Sequence, residues 1–117
     1  METLIKIDGK EIPFKATANT PRLYRIKFRR DLMHDMSRLA KRHNKKKFDI
    51  PDLEIFENVA YIMALQSNAN IGSIDEWMDN FKMFDLYEIL PQLMELWGAN
   101  VETQIESKKN MVKAIQK

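Results

Sequence analysis

The sequence predicts a mainly α-helical domain that begins with a β-hairpin, continues as a small bundle of about four helices and ends in a flexible tail. Two short extended runs surround Asp8-Gly9 at the start of the chain. After Thr20, apolar residues recur at the three- and four-residue spacings of amphipathic helices. From about Asn100 the composition turns polar, which is typical of a segment without its own core.

The size and composition indicate a single ordinary domain. A chain of 117 residues can bury one core, and its 44% hydrophobic and 31% charged residues are usual for a globular protein. No apolar run approaches the length of a membrane span, and the N-terminus lacks the basic and apolar regions of a signal peptide. There is no cysteine, so we expect a cytosolic protein without disulfides or thiolate metal ligands.

The predicted hairpin pairs Leu4–Ile7 with the run that follows Gly9. An Asp-Gly dipeptide favours the positive φ angles of a type I′ turn, which suits two-residue hairpin loops. A two-stranded hairpin alone is marginally stable in water, so it must pack on the helices or pair with another chain. Pro13 has no amide donor and indicates an edge strand. We expect the hairpin to pack on its own domain and to leave an edge for assembly.

The first helix is predicted from Thr20 to about Lys45. Threonine is a good N-cap, and Pro21 suits the first helical position. The chain then carries one apolar stripe, made of Leu23, Ile26, Met33, Met36, Leu39 and Ala40. Most of the arginines fall off this stripe, and Lys45-Lys46-Lys47 is predicted to be a loop because the charges repel.

Two further helices follow. Asp49-Ile50-Pro51-Asp52 is predicted to start the next helix. The helix from about Asp52 to Ser67 is apolar around most of its circumference, so it is predicted to be the most buried helix. Ser73 and Glu76 have the spacing of a capping box, in which the hydroxyl and the carboxylate each accept a free amide of the first turn. They predict the start of a short third helix.

The last helix is predicted to begin at Asp85 and to end at Gly98, a good C-terminal stop. Pro91 lies within it and predicts a kink or break near Tyr87–Glu88. Beyond it, the few apolar residues are Ile105, Met111, Val112 and Ile115. The hairpin and helices therefore form one domain over residues 1–99, and residues 100–117 are predicted to be a flexible tail.

The net charge of +2 conceals two blocks of opposite sign. Residues 21–47 hold eleven bases and two acids, a net charge of +9. Residues 48–106 hold twelve acids and one lysine, a net charge of −11. The blocks neutralise each other across the bundle or are simply solvated; alternatively, they present a basic face to an acidic partner.

The sequence offers little for catalysis or metal binding. His34 and His43 are nine residues apart, which places them on opposite sides of a helix. No glycine-rich phosphate loop and no Gly-x-Ser-x-Gly motif is present. The acidic cluster of Asp75, Glu76 and Asp79 suits the first turn of a helix, where acids complement the dipole. We therefore expect no catalytic residue, no cofactor and no metal.

Nucleic-acid binding is an alternative that the basic block raises. The bases of residues 22–30 and 41–47 would release counterions from a phosphate backbone, and Tyr24 and Phe28 would stack on bases. The acidic second half of the domain argues against this function, so we do not favour nucleic acid as a partner. Packing against the hairpin is the favoured interpretation of the two aromatic residues.

Methionines are abundant, with eight in the chain. Six lie on or beside apolar stripes: Met33, Met36, Met63, Met78, Met83 and Met94. Most are expected in the core, but flexible thioethers also suit a surface that holds a mobile apolar segment, as a chaperone does.

Five segments follow one another along most of the chain, from Ile7 to Gly98. They are Ile7-Asp8-Gly9-Lys10, the run Ala16 to Arg25, Leu53 to Tyr61, Ile74 to Met78, and Leu86 to Gly98. This pattern resembles the tail assembly chaperones of long-tailed, siphovirus-type bacteriophages and prophages of Gram-positive bacteria. The resemblance lies in the overall pattern, since no single motif carries a mechanism.

The resemblance implies a non-enzymatic helical protein of the host cytoplasm that is absent from the mature virion. Such chaperones bind the tape measure protein, keep it soluble and help to recruit major tail protein subunits. Many families also produce a longer product by ribosomal frameshifting, and Ser107-Lys108-Lys109-Asn110 is a candidate position for it. The alternatives are a small nucleic-acid-binding phage protein that uses residues 21–47, and a minor structural tail or connector protein.

The basic helix is our hypothesis for the surface that contacts the tape measure protein. A helical domain can cover an apolar stripe of a partner helix, while charge sets register and association rate. The candidate contact residues are Arg22, Arg25, Phe28, Arg29, Arg38 and Arg42. No membrane is expected to take part, and the formation of a homo-oligomer stays open.

Overall fold

The hairpin opens the fold as predicted. The computed structural model describes residues 2–97, of which β1 (Glu2–Ile7) and β2 (Lys10–Lys15) pair antiparallel. Asp8 and Gly9 have φ angles of 53° and 78°, which confirms the predicted turn conformation. Four hairpin side chains enter the core: Ile5, Ile7, Phe14 and Ala16. The hairpin therefore packs on its own domain, and β2 lies against the long central helix.

That central helix is α3 (Ile50–Ser67), which contacts the hairpin and the two helices before it. Its N-cap is Asp49, and Asp49 and Asp52 form a capping box, so the helix starts within the predicted stretch Asp49–Asp52. Six consecutive residues, from Val59 to Ala64, are buried. The prediction of a helix that is apolar nearly all round and deeply buried is confirmed.

The prediction of one helix from Thr20 to Lys45 is wrong, because two helices occupy this segment. They are α1 (Thr20–Phe28) and α2 (Leu32–Lys45). Arg29 ends α1 in the left-handed conformation, with φ of 56°. The Asp31 side chain then accepts hydrogen bonds from the free amides of Met33 (2.9 Å) and His34 (3.3 Å). An aspartate that caps a new helix competes with continuation of the old one, so the chain turns here.

The break changes which apolar residues are buried. Met36 and Leu39 on α2 are in the core as predicted, whereas Ile26 and Met33 are 59% and 39% exposed. In one continuous helix these four residues would lie on a single stripe. Because the chain turns between α1 and α2, the residues of that stripe do not all face the core. The two exposed residues were wrongly assigned to the buried stripe.

The start of α1 also differs from the prediction. Asn19 occupies the N-cap position and makes no capping hydrogen bond with its side chain. Thr20 is instead buried, and its hydroxyl accepts the amide of Thr17 (2.8 Å) and donates to Gln66 on α3. Gln66 in turn donates to the Thr17 hydroxyl. This network fixes the first turn of α1 to the end of α3.

The helix predicted as the third corresponds to α4 (Ile74–Met78) in the structure. Its predicted capping box is confirmed by the hydrogen bond from the Glu76 amide to Ser73 Oγ (3.2 Å). Trp77 on this helix is buried and meets the ring of Phe14 edge-on, with centroids 6.3 Å apart. The contact places α4 over the inner face of the hairpin.

The last helical segment is interrupted as predicted. A 3-10 turn covers Tyr87–Ile89, and a helix that we name α5 follows over residues 90–97 with Pro91 in its first turn, where no amide is needed. Tyr87 donates a hydrogen bond of 2.6 Å to Glu57 on α3. Burial, together with this bond, raises the pKa of Tyr87 to about 12.

Several predictions lie outside the described residues, namely the helix stop at Gly98, the tail over 100–117 and the frameshift candidate Ser107–Asn110. Within residues 2–97, no helix has the length and apolar character needed to cross a membrane.

Of the six methionines predicted on or beside apolar stripes, Met36 and Met63 are buried, Met78 and Met94 are partly buried, and Met33 and Met83 are exposed.

Candidate interaction surface

The six predicted contact residues divide into two groups in the structure. Arg22, Arg25 and Arg29 on α1 are exposed, and none of them forms an ion pair with any residue between 2 and 97. Phe28 is half-buried, with its ring 5.2 Å from that of Tyr24. These residues remain available, wholly or in part, to a partner.

Arg38 and Arg42 belong to the second group, because they hold α2 against α3. Arg38 Nε lies 2.6 Å from Asp52 Oδ1, and Arg42 Nε lies 3.5 Å from Asp52 Oδ2. Asp52 is fully buried and also accepts the amide of Asp49 (2.9 Å). Burial by itself raises the pKa of Asp52, but the Asp49 amide and the Arg38 guanidinium outweigh it and hold that pKa below its usual range. These two arginines therefore already have a structural role.

A second buried carboxylate fixes the angle between α1 and α2. Asp35, which is 1% exposed, accepts two hydrogen bonds from Arg30 (2.7 and 2.8 Å) and one from the Tyr24 hydroxyl (2.6 Å). We call these three residues the Asp35 clamp. Burial raises and the three bonds lower the pKa of Asp35, and the bonds prevail. Burial, followed by the bond to Asp35, raises the pKa of Tyr24.

The burial of Tyr24 also bears on nucleic-acid binding. Its ring is completely buried, so it cannot stack on a base as that alternative requires. Tyr24 packs in the core, where its partners include Phe28 and Asp35, whereas packing of Tyr24 and Phe28 against the hairpin stays a prediction. The two histidines lie on α2, His34 exposed and His43 half-buried, and no group of three metal-ligating side chains occurs in the described part of the chain.

The two buried aspartates predict a loss of stability in acid. Unfolded aspartate has a pKa of about 3.9, and the folded values are lower. As the pH falls below about 5, the unfolded state takes up protons first, so the free energy of unfolding decreases until the folded carboxylates are protonated too. Urea unfolding at several pH values should show this decrease.

The Asp52→Asn variant isolates one contribution to this pH dependence. Its free energy of unfolding should be lower at pH 7 and should fall less steeply between about pH 5 and 3, because one depressed carboxylate is gone. Asp79→Asn, at an exposed position, is the matched control and should retain the wild-type slope. An unchanged slope in Asp52→Asn would contradict the assignment.

The free arginines of α1 lie beside the apolar residues that the helix break exposes. Arg25 and Arg29 line a groove of about 610 Å³, and the other residues that line it are Pro21, Arg30, Asp31, Leu32 and Met33. Ile26 is exposed between the two arginines in sequence. We define the α1 strip as Arg22, Arg25, Ile26, Arg29 and Met33. Sequence periodicity missed its apolar members, because it assigned them to the core.

A more enclosed cleft of about 330 Å³ lies between β2, the end of α3 and α4. Its apolar walls include Ile12, Ile71, Trp77 and Phe81, and Lys10 is the one ionisable residue that lines it among residues 2–97. A lone amine without an acid or base partner provides no proton-transfer pair. The α1 strip, which combines charge with exposed apolar area, is the stronger candidate for a functional surface.

Comparison with models of protein families, with characterised proteins and with solved structures gives no match to this chain.

Proposed function

We propose that this protein is a non-enzymatic chaperone of phage tail assembly, which acts in the host cytoplasm and is absent from the mature virion. It binds an amphipathic helix of the tape measure protein, keeps that protein soluble and helps to recruit major tail protein subunits. The sequence pattern supports the class of protein. The observation that carries the binding mode is the α1 strip, in which Ile26 and Met33 are exposed and the arginines form no ion pair with any residue between 2 and 97.

The strip has the composition that a partner helix with an apolar stripe and acidic flanks requires. Ile26 and Met33 give apolar contact, and methionine adapts its shape to different partners. The arginines flank this contact and present planar donors that suit carboxylates. Within residues 2–97 these arginines form no ion pair, and Ile26 and Met33 are exposed. A partner can therefore bind them without a rearrangement of the domain.

Two of the six candidate contact residues are removed from the proposal because they form ion pairs within the domain. Arg38 and Arg42 pair with Asp52 in the core, so a partner that engaged them would have to disrupt the packing of α2 on α3. We therefore restrict the proposed contact to Arg22, Arg25, Phe28 and Arg29, together with the newly exposed Ile26 and Met33.

Charge reversal on the strip tests the proposal. The triple variant Arg22→Glu, Arg25→Glu, Arg29→Glu should stay folded, because none of the three side chains is paired, but should no longer keep a co-expressed tape measure protein soluble. The soluble fraction of that protein, measured after lysis, should fall to the level seen without the chaperone. Reversal of Arg38 is unsuitable, since it would leave Asp52 without its closest cation.

The matched control is Lys41→Glu, Lys45→Glu, Lys47→Glu, which reverses the same number of exposed charges elsewhere. It should keep the tape measure protein soluble. If the strip variant is folded by circular dichroism and solubilises its partner as well as the control does, the proposed contact is wrong. Detection of the protein in purified virions by mass spectrometry would favour a structural tail or connector protein instead.

One observation supports nucleic-acid binding as the second candidate. A groove of about 430 Å³ along α2 is lined by six residues, none of them acidic: His34, Ser37, Arg38, Lys41, Arg42 and Lys45. A phosphate backbone would bind here with a strong salt dependence. A gel shift with DNA and RNA decides between the two functions, because the lysine control variant would lose such binding and the strip variant would retain most of it.

A further inference from the structure

A groove on the acidic block combines exposed apolar side chains with carboxylates that have no cation beside them. It lies between the first half of α3 and α4 and has a volume of about 390 Å³. Ile50, which is 81% exposed, and Leu53, which is 37% exposed, contribute apolar surface together with Ile74 and Met78. We name this feature the acidic groove because of three further residues that line it.

Those three residues are Glu54, Glu57 and Asp75, and no basic side chain lines the groove among residues 2–97. Glu57 accepts a hydrogen bond from Tyr87, whereas Glu54 and Asp75 are exposed and form no ion pair with any described residue. The groove therefore suits a segment that carries both apolar side chains and positive charge.

The last eleven residues of the chain have this composition. Residues 107–117 contain four lysines and no acid, and their larger apolar residues are Met111, Val112 and Ile115. At helical spacing these three apolar residues share one side, and three of the four lysines fall outside it. Residues 48–106 hold a single lysine, so this is the basic segment that follows the acidic block.

The end of the described chain is within reach of the groove. Glu57 lines the groove and is hydrogen-bonded to Tyr87, from which the 3-10 turn and α5 extend the path to Trp97 by no more than about 17 Å. The ten residues 98–107 can span about 33 Å when extended. The chain that follows Trp97 is therefore long enough to bring residues 108–117 to the groove of the same molecule.

We propose that residues 107–117 bind the acidic groove of their own molecule, with their apolar side chains against Ile50 and Leu53 and their lysines beside Glu54 and Asp75. Binding within one molecule needs little intrinsic affinity, because the connecting chain holds the segment at a high effective concentration. The bound segment covers Ile50 and makes the groove unavailable to any other basic segment. This inference does not rest on the proposed function, because it leaves the α1 strip unoccupied.

Disulfide formation within one molecule tests the proposal, because the chain has no cysteine of its own. Asn58→Cys places a thiol in the groove, and Asn110→Cys places one beside Met111 and keeps every lysine and apolar residue of the segment. We call this double variant the groove pair. With diamide in dilute solution it should form an intramolecular disulfide, which non-reducing electrophoresis and peptide mass spectrometry identify. Ile50→Cys replaces Asn58→Cys if the latter lowers the helical signal in circular dichroism.

The comparison variant, which we call the edge pair, is Leu4→Cys with Asn110→Cys. Leu4 is 60% exposed and lines a cleft with Glu95 and Leu96, beside the point where the described chain ends. Random collision therefore favours the edge pair over the groove pair, in which Asn58 is half-buried. Binding in the acidic groove reverses this order, and we expect the groove pair to oxidise at least about tenfold faster.

Charge reversal identifies the carboxylates that the segment contacts. In the groove pair, Glu54→Lys with Asp75→Lys should slow oxidation about tenfold, because like charges then meet at the contact. The further changes Lys109→Glu and Lys113→Glu exchange the signs and should restore the rate to near its original value.

Glu11→Lys with Asp79→Lys is the matched control, because it reverses the same number of exposed acids outside the groove. It should leave the oxidation rate of the groove pair unchanged. High salt should slow the groove pair, because the Debye length falls to about 3 Å at about 1 M.

Three results would overturn the proposal. One is oxidation of the groove pair no faster than that of the edge pair, which would place the segment elsewhere. Another is a rate that reversal of Glu54 and Asp75 leaves unchanged, or that the added Lys109 and Lys113 reversals do not restore. The last is oxidation that yields disulfide-linked dimers instead of a cross-link within one chain. The solubility assay for the tape measure protein is independent of all three, since its charge reversals on the α1 strip alter neither the groove nor the segment.

Discussion

Phe14→Ala is expected to destabilise the domain by about 3–5 kcal/mol, the usual cost of removing a buried phenylalanine. Phe14 lies on the inner face of β2, is completely buried and meets Trp77 edge-on. Truncation leaves a cavity at the junction of hairpin, α3 and α4, and removes one of the few contacts by which α4 is held. Urea or thermal unfolding measured by circular dichroism gives the change in free energy.

Phe84→Ala is the matched control, since the same side chain is removed where it is 71% exposed. It should change stability by no more than about 0.5 kcal/mol. A similar loss in both variants would mean that the hairpin face is not part of the core. Deletion of the whole hairpin should unfold the domain, because Ile5, Ile7 and Phe14 are core residues.

Asp35→Ala is expected to cost about 2–3 kcal/mol, because it leaves the buried Tyr24 hydroxyl without an acceptor and Arg30 without its carboxylate. This cost is below the roughly 3–5 kcal/mol of breaking a fully buried ion pair, since Arg30 is 47% exposed and water can solvate it. The angle between α1 and α2 should also loosen, which hydrogen exchange of the α1 amides would detect.

Two controls separate the parts of this network. Tyr24→Phe removes only the hydroxyl and should cost about 1 kcal/mol. Ser37→Ala, at an exposed position on the same helix, should have almost no effect. If Asp35→Ala is no less stable than Ser37→Ala, the clamp does not contribute to the fold.

The sequence was sufficient to predict those elements whose local chemistry agrees with the tertiary fold. Asp8-Gly9 predicts its turn because few other dipeptides adopt two positive φ angles so readily. Ser73 with Glu76 predicts a helix start because both capping partners lie within four residues. Pro91 predicts an interruption because its ring constrains the preceding turn.

Where two local preferences compete, the sequence was ambiguous. Asp31 can sit within a helix or cap a new one, and the deciding interaction, Asp35 with Tyr24 and Arg30, depends on tertiary structure. The sequence is also ambiguous about the arginines, because it does not show which of them form ion pairs within the fold. Arg38 and Arg42 are engaged because Asp52 lies across the helix interface, and no spacing rule could show this.

The position of β1 in the fold has a consequence for synthesis of the chain. Its residues contact the turn at Tyr87–Ile89, and Glu2 accepts a hydrogen bond from Ser67, so β1 depends on residues that are made much later. At about 5–20 residues per second, the ribosome needs about 4 to 16 s to make the intervening chain. Until that turn has been made, β1 lacks these distant contacts, so stable folding of the domain has to wait for them.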